Sequence, residues 1–196
     1  MSDTLATLIE LQRLKRLDRT GWILRGLANG TESVAAHSFG VAVTAMLLAD
    51  DLSESGIEIN LEKLLRIALL HDWAESRVGD MPRTATNYFG AEVRRQAEAA
   101  AFKDMVSSLK SSGNYLKLYD DYEHRGSLEA KLVKAADIID LLIQVLALER
   151  AGARGLDEFW EVAHNPDFQL DGVAKETVDR FVASLLTARR EVVGSN

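Results

Sequence analysis

The stretch "ALLHDWAESRVGDMP", residues 68–82, decides the fold. An apolar run ends in His71 and Asp72, with Glu75 one turn further on and a Gly79-Asp80 turn behind it. Taken with the residues before it, "LEKLLRIALLHDWAE" (61–75) places Leu64, Ile67, Ala68 and His71 at three- and four-residue steps. That is the period of one helix face, and Glu75 continues it. Asp72 falls about 100° round the helix from His71, still near the inward side. The stretch predicts a buried helix whose inner face ends in titratable groups.

Working outward, the remaining segments also read as helices, because no segment sustains period-2 alternation. Helices are expected at about 4–17, from a Thr31 or Ser33 cap to about Leu52, at 61–75 behind an Asn60 cap, at 91–110 and at 114–124. A long apolar helix behind Ser127 reaches about 150, a weaker one covers 157–164, and the last runs over 173–191. "GLANGT" (26–31), "SESG" (53–56) and "AGARG" (151–155) are turns, and "VGDMPRTATNYFG" (78–90) reads as a loop. With no repeat and no linker, residues 1–196 are expected to form a single-domain, all-α helical bundle, with a motif-bearing core at about 11–150. The C-terminal helices complete that core or dimerise it. Val178, Phe181, Leu185 and Leu186 give the last helix an apolar face, and a homodimer is expected.

Composition excludes several classes. The chain has no cysteine, so disulfides and thiolate metal sites are ruled out. A net charge of -7 argues against a broad surface for a nucleic-acid polymer. No apolar run approaches the ~18–20 residues of a membrane span. The N-terminal "MSDTLATLIELQRLKRL" has the look of an amphipathic helix and lacks the compact apolar segment of a signal peptide. A cytoplasmic protein without a membrane partner is expected.

Three helices each aim a polar group inward. His37 lies in the stripe Val34, Val41, Ala45 and Leu48; His71 and Asp72 end the next; Asp137 sits between Val133 and Leu141 in the long helix. Burying such groups singly costs several kcal/mol. One arrangement satisfies all four: a divalent cation held by two imidazoles and two carboxylates.

The order His37, His71-Asp72, Asp137 resembles the HD-domain phosphohydrolase superfamily. The 5'-deoxynucleotidase branch, bacterial enzymes and eukaryotic HD domain-containing relatives, is the nearer likeness. It is carried by "LDRTGWILRG" (17–26), "ESVAAHSFGVAVTAMLLAD" (32–50), "ALLHDWAESRVGDMP" (68–82) and "AKLVKAAD" (130–137). The resemblance implies an all-helical bundle, often dimeric. It also implies one divalent metal cation (Mn, Co, Mg, Fe or Zn) on His37, His71, Asp72 and Asp137. The activity implied is removal of the 5'-phosphate from small nucleotide substrates, (deoxy)nucleoside monophosphates, by metal-activated water. Nucleoside triphosphates, cyclic or dinucleotide phosphodiesters, and a non-catalytic binding module are the alternatives. Glu75 and Asp80 are the expected catalytic acids or bases. Arg19 is the expected fork for phosphate, and Lys134 adds charge one turn before Asp137. Trp22 is the expected substrate-side aromatic. It follows Arg19 by three residues, as in the eukaryotic branch, whereas in bacterial relatives a Trp follows the Arg directly.

Overall fold

Ser33, Asn60 and Ser127 each stand where a helix begins, and all three side chains cap one. Asn60 Oδ1 accepts from the Lys63 N–H at 3.0 Å, and Ser127 Oγ from Ala130 at 3.2 Å. Ser33 Oγ accepts from Ala36 at 3.1 Å. The computed structural model describes residues 3–164 and 166–194. Their helices are α1 (Asp3–Leu11), α2 (Thr20–Ile23), α3 (Val34–Glu54), α4 (Leu61–Leu70), α5 (Glu75–Val78) and α6 (Arg83–Phe89), followed by α7 (Ala91–Val106), α8 (Ser112–His124), α9 (Leu128–Arg150), α10 (Asp157–His164) and α11 (Gly172–Val193). A 3-10 turn covers Gln12–Lys15. No strand occurs among the described residues. Asp18 and Ser33 form one isolated antiparallel bridge, with Arg19 N–H donating to Glu32 O and Val34 N–H to Leu17 O, both at 2.9 Å.

The all-α expectation holds, with local corrections. The helix expected over 61–75 ends at Leu70; a turn carries residues 71–74, and α5 restarts at Glu75. The expected loop 78–90 contains α6, which buries none of its residues. The first helix gives way at Leu11 to the 3-10 turn, and the helix expected to reach 110 stops at Val106.

The chain divides into two compact units. The first takes the residues up to Phe39 and Leu69–Asp120; the second takes Gly40–Ala68 and the residues from Asp121 onward. The first unit has an aromatic centre. Leu70, Ala74, Phe102, Val106 and Tyr119 cluster, with the Phe102 and Tyr119 rings stacked at 4.2 Å. Trp73 packs on Phe102 and Tyr115, with centroids 6.3 and 5.7 Å away. This explains the break after Leu70. Trp73 and Ala74 anchor the 71–74 turn in the core, which leaves His71, Asp72 and Glu75 to gather on its other side. The second unit is built on α9, whose Leu132, Val133, Ala136, Ile139, Leu142 and Val145 are buried, with α10 and α11 packed against it. Val178 and Leu185 of α11 are buried in this packing, while Phe181 is exposed.

The expectation that no apolar run reaches membrane length needs correction. By length and composition α3 does, with a mean hydropathy of 1.2 over an 18-residue window, 44% of which is buried inside the molecule. The same helix carries His37, Asp50 and Asp51. Its inward stripe, Val34, Val41, Ala45 and Leu48, is closed off from solvent as its spacing predicts.

Candidate metal and phosphate site

The polar groups of the first unit converge on one carboxylate. Val34–Phe39 of α3 brings His37, and the 71–74 turn brings His71 and Asp72. His71 Nε2 lies 3.2 Å from Asp72 Oδ2, and His37 Nε2 lies 3.8 Å from the same oxygen. The two imidazoles meet edge-on, with centroids 5.7 Å apart and planes inclined by 66°. One donor atom from each of the three residues lies within 4.8 Å of the other two. Two ligands each about 2.1 Å from an ion stand about 3–4 Å apart, so this donor set fits a common divalent cation.

Two further carboxylates stand beside it. Glu75 opens α5 and is 3% exposed, and its Oε2 accepts no hydrogen bond among the described residues. Asp80 follows Gly79, whose φ of 79° is the left-handed backbone that favours glycine. Its carboxylate accepts from the Thr20 N–H at the start of α2, a donor without a partner inside the helix. Thr20 Oγ1 donates to the Asp80 carbonyl at 2.7 Å. Thr20 was missed from the sequence; its position directly after Arg19, at a helix start, was the available signal.

The electrostatics divide these acids. Burial works to raise the Asp72 pKa, and the adjacent His71, His37 and Arg19 outweigh it, holding the group below the usual carboxylate range. For Glu75, burial comes first and the charges of Asp72 and Asp80 add to it. Together they hold it well above the usual range against Arg19 and Arg94.

Arg19 is held between acids, with Nη1 3.4 Å from Asp80 Oδ1 and 3.7 Å from Asp72 Oδ2. Trp22 is 1% exposed and donates its indole N–H to Glu32 at 2.7 Å. The ring is enclosed in protein and tied to the segment that precedes α3, which is a packing position. Asp137 and Lys134 belong to the second unit. Lys134 Nζ donates to Asp137 Oδ2 at 2.7 Å, and the Tyr122 hydroxyl donates to the same oxygen at 3.2 Å. Lys134 Nζ also lies 5.5 Å from the centre of the Tyr122 ring. Nothing in the spacing of the sequence singles out Tyr122.

The convergence of His37, His71 and Asp72 agrees with what the chain is similar to. The HD domain family matches residues 11–166. The Xenopus laevis protein named 5'-deoxynucleotidase HDDC2 is 34% identical over 144 residues, 72% of this chain and 67% of that protein. The human protein of the same name is 33% identical over 139 residues, 70% and 64% of the two chains. This chain thus spans about two thirds of the length of these relatives. A solved structure, a conserved hypothetical protein from Pyrococcus furiosus, is 34% identical with a TM-score of 0.81, over 93% of this chain and 99% of that one. The matched span contains His37, the His71-Asp72 pair and Asp137 together, and the chain belongs to the HD domain family.

Proposed function

We propose that the protein is a metal-dependent phosphohydrolase that removes the 5'-phosphate from (deoxy)nucleoside monophosphates. The observation that carries this reading is the gathering of two imidazoles and the Asp72 carboxylate within ligand reach of each other, beside two more carboxylates. The printed names of the relatives, 5'-deoxynucleotidase, support the substrate class. The proposed ligand set is His37, His71, Asp72 and, by its place in the motif, Asp137. A bound divalent cation would act as a Lewis acid toward a phosphoryl oxygen and lower the pKa of water.

The protein's own groups have distinct parts. Glu75, buried and held toward its protonated form, is the general acid or base. Asp80, fixed by Thr20 and Arg19, shares the acid–base work and holds the Arg19 guanidinium in place. Arg19 offers positive charge to the incoming phosphate. Trp22 acts through packing, by fixing the segment that leads into α3. Lys134 orients Asp137. The whole chain acts as one domain, as a homodimer in the cytoplasm, on a free nucleotide.

The test is phosphate release from all common ribo- and deoxyribonucleoside monophosphates, repeated with Mn, Co, Mg, Fe and Zn. Release that requires an added ion supports the reading. A protein that takes up the ion and turns over none of these substrates would overturn it, and equal rates on ribo and deoxy substrates would remove the deoxy preference alone.

A further inference from the structure

Arg94 lies near the start of α7, the helix on which α5 packs. Its side chain is 34% exposed. Its Nε donates to Glu98 Oε1 at 2.6 Å, one turn along the same helix, and Glu98 itself is buried. Neither terminal nitrogen of Arg94 has a hydrogen-bond or ion-pair partner among the described residues. The guanidinium is therefore oriented through one nitrogen, with its two terminal nitrogens open. A planar fork held in this way matches two oxygens of a phosphate, and holding it in advance lowers the cost of ordering it on binding.

The packing of α5 on α7 brings the Arg94 charge toward Glu75. Arg77, at the far end of the short helix, pairs with Asp104 further along α7. Glu75, at its near end, feels the Arg94 charge, and Arg94 in turn feels Glu75 and Asp72. The charge pattern favours a further cationic side chain there. Asp72, Glu75 and Asp80 crowd one place, and Arg19 already lies between two of them. A phosphate entering that place meets the negative charge of Asp72 and Asp80.

We propose that Arg94 binds the phosphate of the substrate through its open fork and that Glu98 is its positioning residue. This rests on the phosphohydrolase reading above for the identity of the substrate, but the anion-binding role can be read without turnover. The probe is inorganic phosphate, titrated calorimetrically into the full-length protein with its divalent ion. Alongside it, KM and kcat are measured on a deoxynucleoside monophosphate. Arg94→Gln is expected to weaken inorganic phosphate binding at least tenfold and to raise KM by a similar factor, with kcat changed less than threefold. Arg94→Lys, which keeps the charge and loses the fork, should fall between the two. Glu98→Gln should raise KM about three- to tenfold, and Glu98→Asp should recover most of that loss, which a merely structural role would not produce.

The proposal is overturned if Arg94→Gln and Arg94→Lys both bind inorganic phosphate within twofold of wild type, or if the wild-type protein binds none. Failure of the hydrolase reading looks different: phosphate binding would still depend on Arg94 while no nucleotide is turned over. Should Arg94→Gln fail to fold, as judged by circular dichroism, Arg94→Lys carries the comparison.

Discussion

Glu10 holds Arg77 through both carboxylate oxygens, with Arg77 Nε 2.6 Å from Oε1 and Nη2 2.9 Å from Oε2. The pair ties α1 to α5, two residues from Glu75, and Arg13 adds a contact from its Nη1 to the Ser76 carbonyl at 3.4 Å. The Arg77 side chain is 29% exposed, so solvent screens part of the attraction. A two-pronged pair of this kind contributes about 1 kcal/mol. Arg77→Ala should therefore lower Tm by roughly 2–4 °C. The pH dependence has a definite sign. The hydrogen bond from Arg77 lowers the Glu10 pKa against the opposing effect of burial. The stabilisation is then complete above the ordinary glutamate range and is lost as pH falls through the lowered folded value. Thermal melts of wild type and Glu10→Gln should converge at acid pH and separate at neutral pH; parallel curves would contradict the pairing.

Gly40 is set by close approach. A Cβ built on it would stand 2.0 Å from Asp140 Oδ1 and 2.6 Å from its Cγ. Alanine at an ordinary helix position is worth about 1 kcal/mol over glycine. Here it must push the Asp140 carboxyl aside, an overpacking cost of about 1–3 kcal/mol. Gly40→Ala is expected to destabilise the fold, and to cost less in an Asp140→Ala background than in wild type. Urea unfolding of the four proteins measures this coupling directly.

Glu149 is a buried acid with a defined partner. Arg189 Nη2 lies 3.0 Å from its Oε1 and Nε 3.2 Å from its Oε2, while the guanidinium sits 4.9 Å from the Trp160 ring centre. Removing the arginine leaves a carboxylate without its counter-charge in the packing of α9 and α11. Arg189→Ala should cost about 3–5 kcal/mol. Arg189→Ala combined with Glu149→Leu should recover much of that, which chemical denaturation can read.

Ion binding at His37, His71 and Asp72 should be visible as stability. A ligand present at a hundredfold excess over its Kd adds about 2.7 kcal/mol, equivalent to roughly 5–10 °C in Tm for a chain of this size. Wild type should show that rise on addition of the preferred divalent ion after chelation. His71→Ala should show little or none. An undiminished rise in His71→Ala would place the ion elsewhere.

Much of this was legible in the chain, for reasons that differ residue by residue. Ser33, Asn60 and Ser127 reveal their helix starts because capping is local chemistry. Leu64, Ile67 and Ala68 reveal their buried face because burial follows the helical period. The break after Leu70 is hidden by the same period: His71 and Glu75 fall four apart whether the backbone between them is a helix or a turn. What makes it a turn is Trp73 meeting Phe102 and Tyr115, residues remote in sequence. α6 escaped because it has no apolar stripe to read. Thr20 with Asp80, and Tyr122 with Asp137, are tertiary contacts that leave no periodic trace.

Glu75→Gln separates chemistry from ligation. The side chain is buried, one of its oxygens accepts no hydrogen bond among the described residues, and burial together with Asp72 and Asp80 raises its pKa. A carboxyl held toward its protonated form can give up a proton that an ordinary glutamate has already lost. Glutamine keeps the shape and removes the exchange. Phosphate release is expected to fall about 10²–10⁴-fold, with bound metal unchanged by elemental analysis. The same raised pKa has a consequence for the metal-free protein. A group raised on folding stabilises fully below its ordinary titration range and withdraws that contribution as pH climbs through the raised value. The chelated wild type should therefore lose Tm as pH rises above the ordinary glutamate range, and chelated Glu75→Gln should lose less. A variant that keeps wild-type turnover would remove Glu75 from the chemistry. One whose chelated melt follows the wild-type pH curve would show that Glu75 is not the group being ionised against its surroundings.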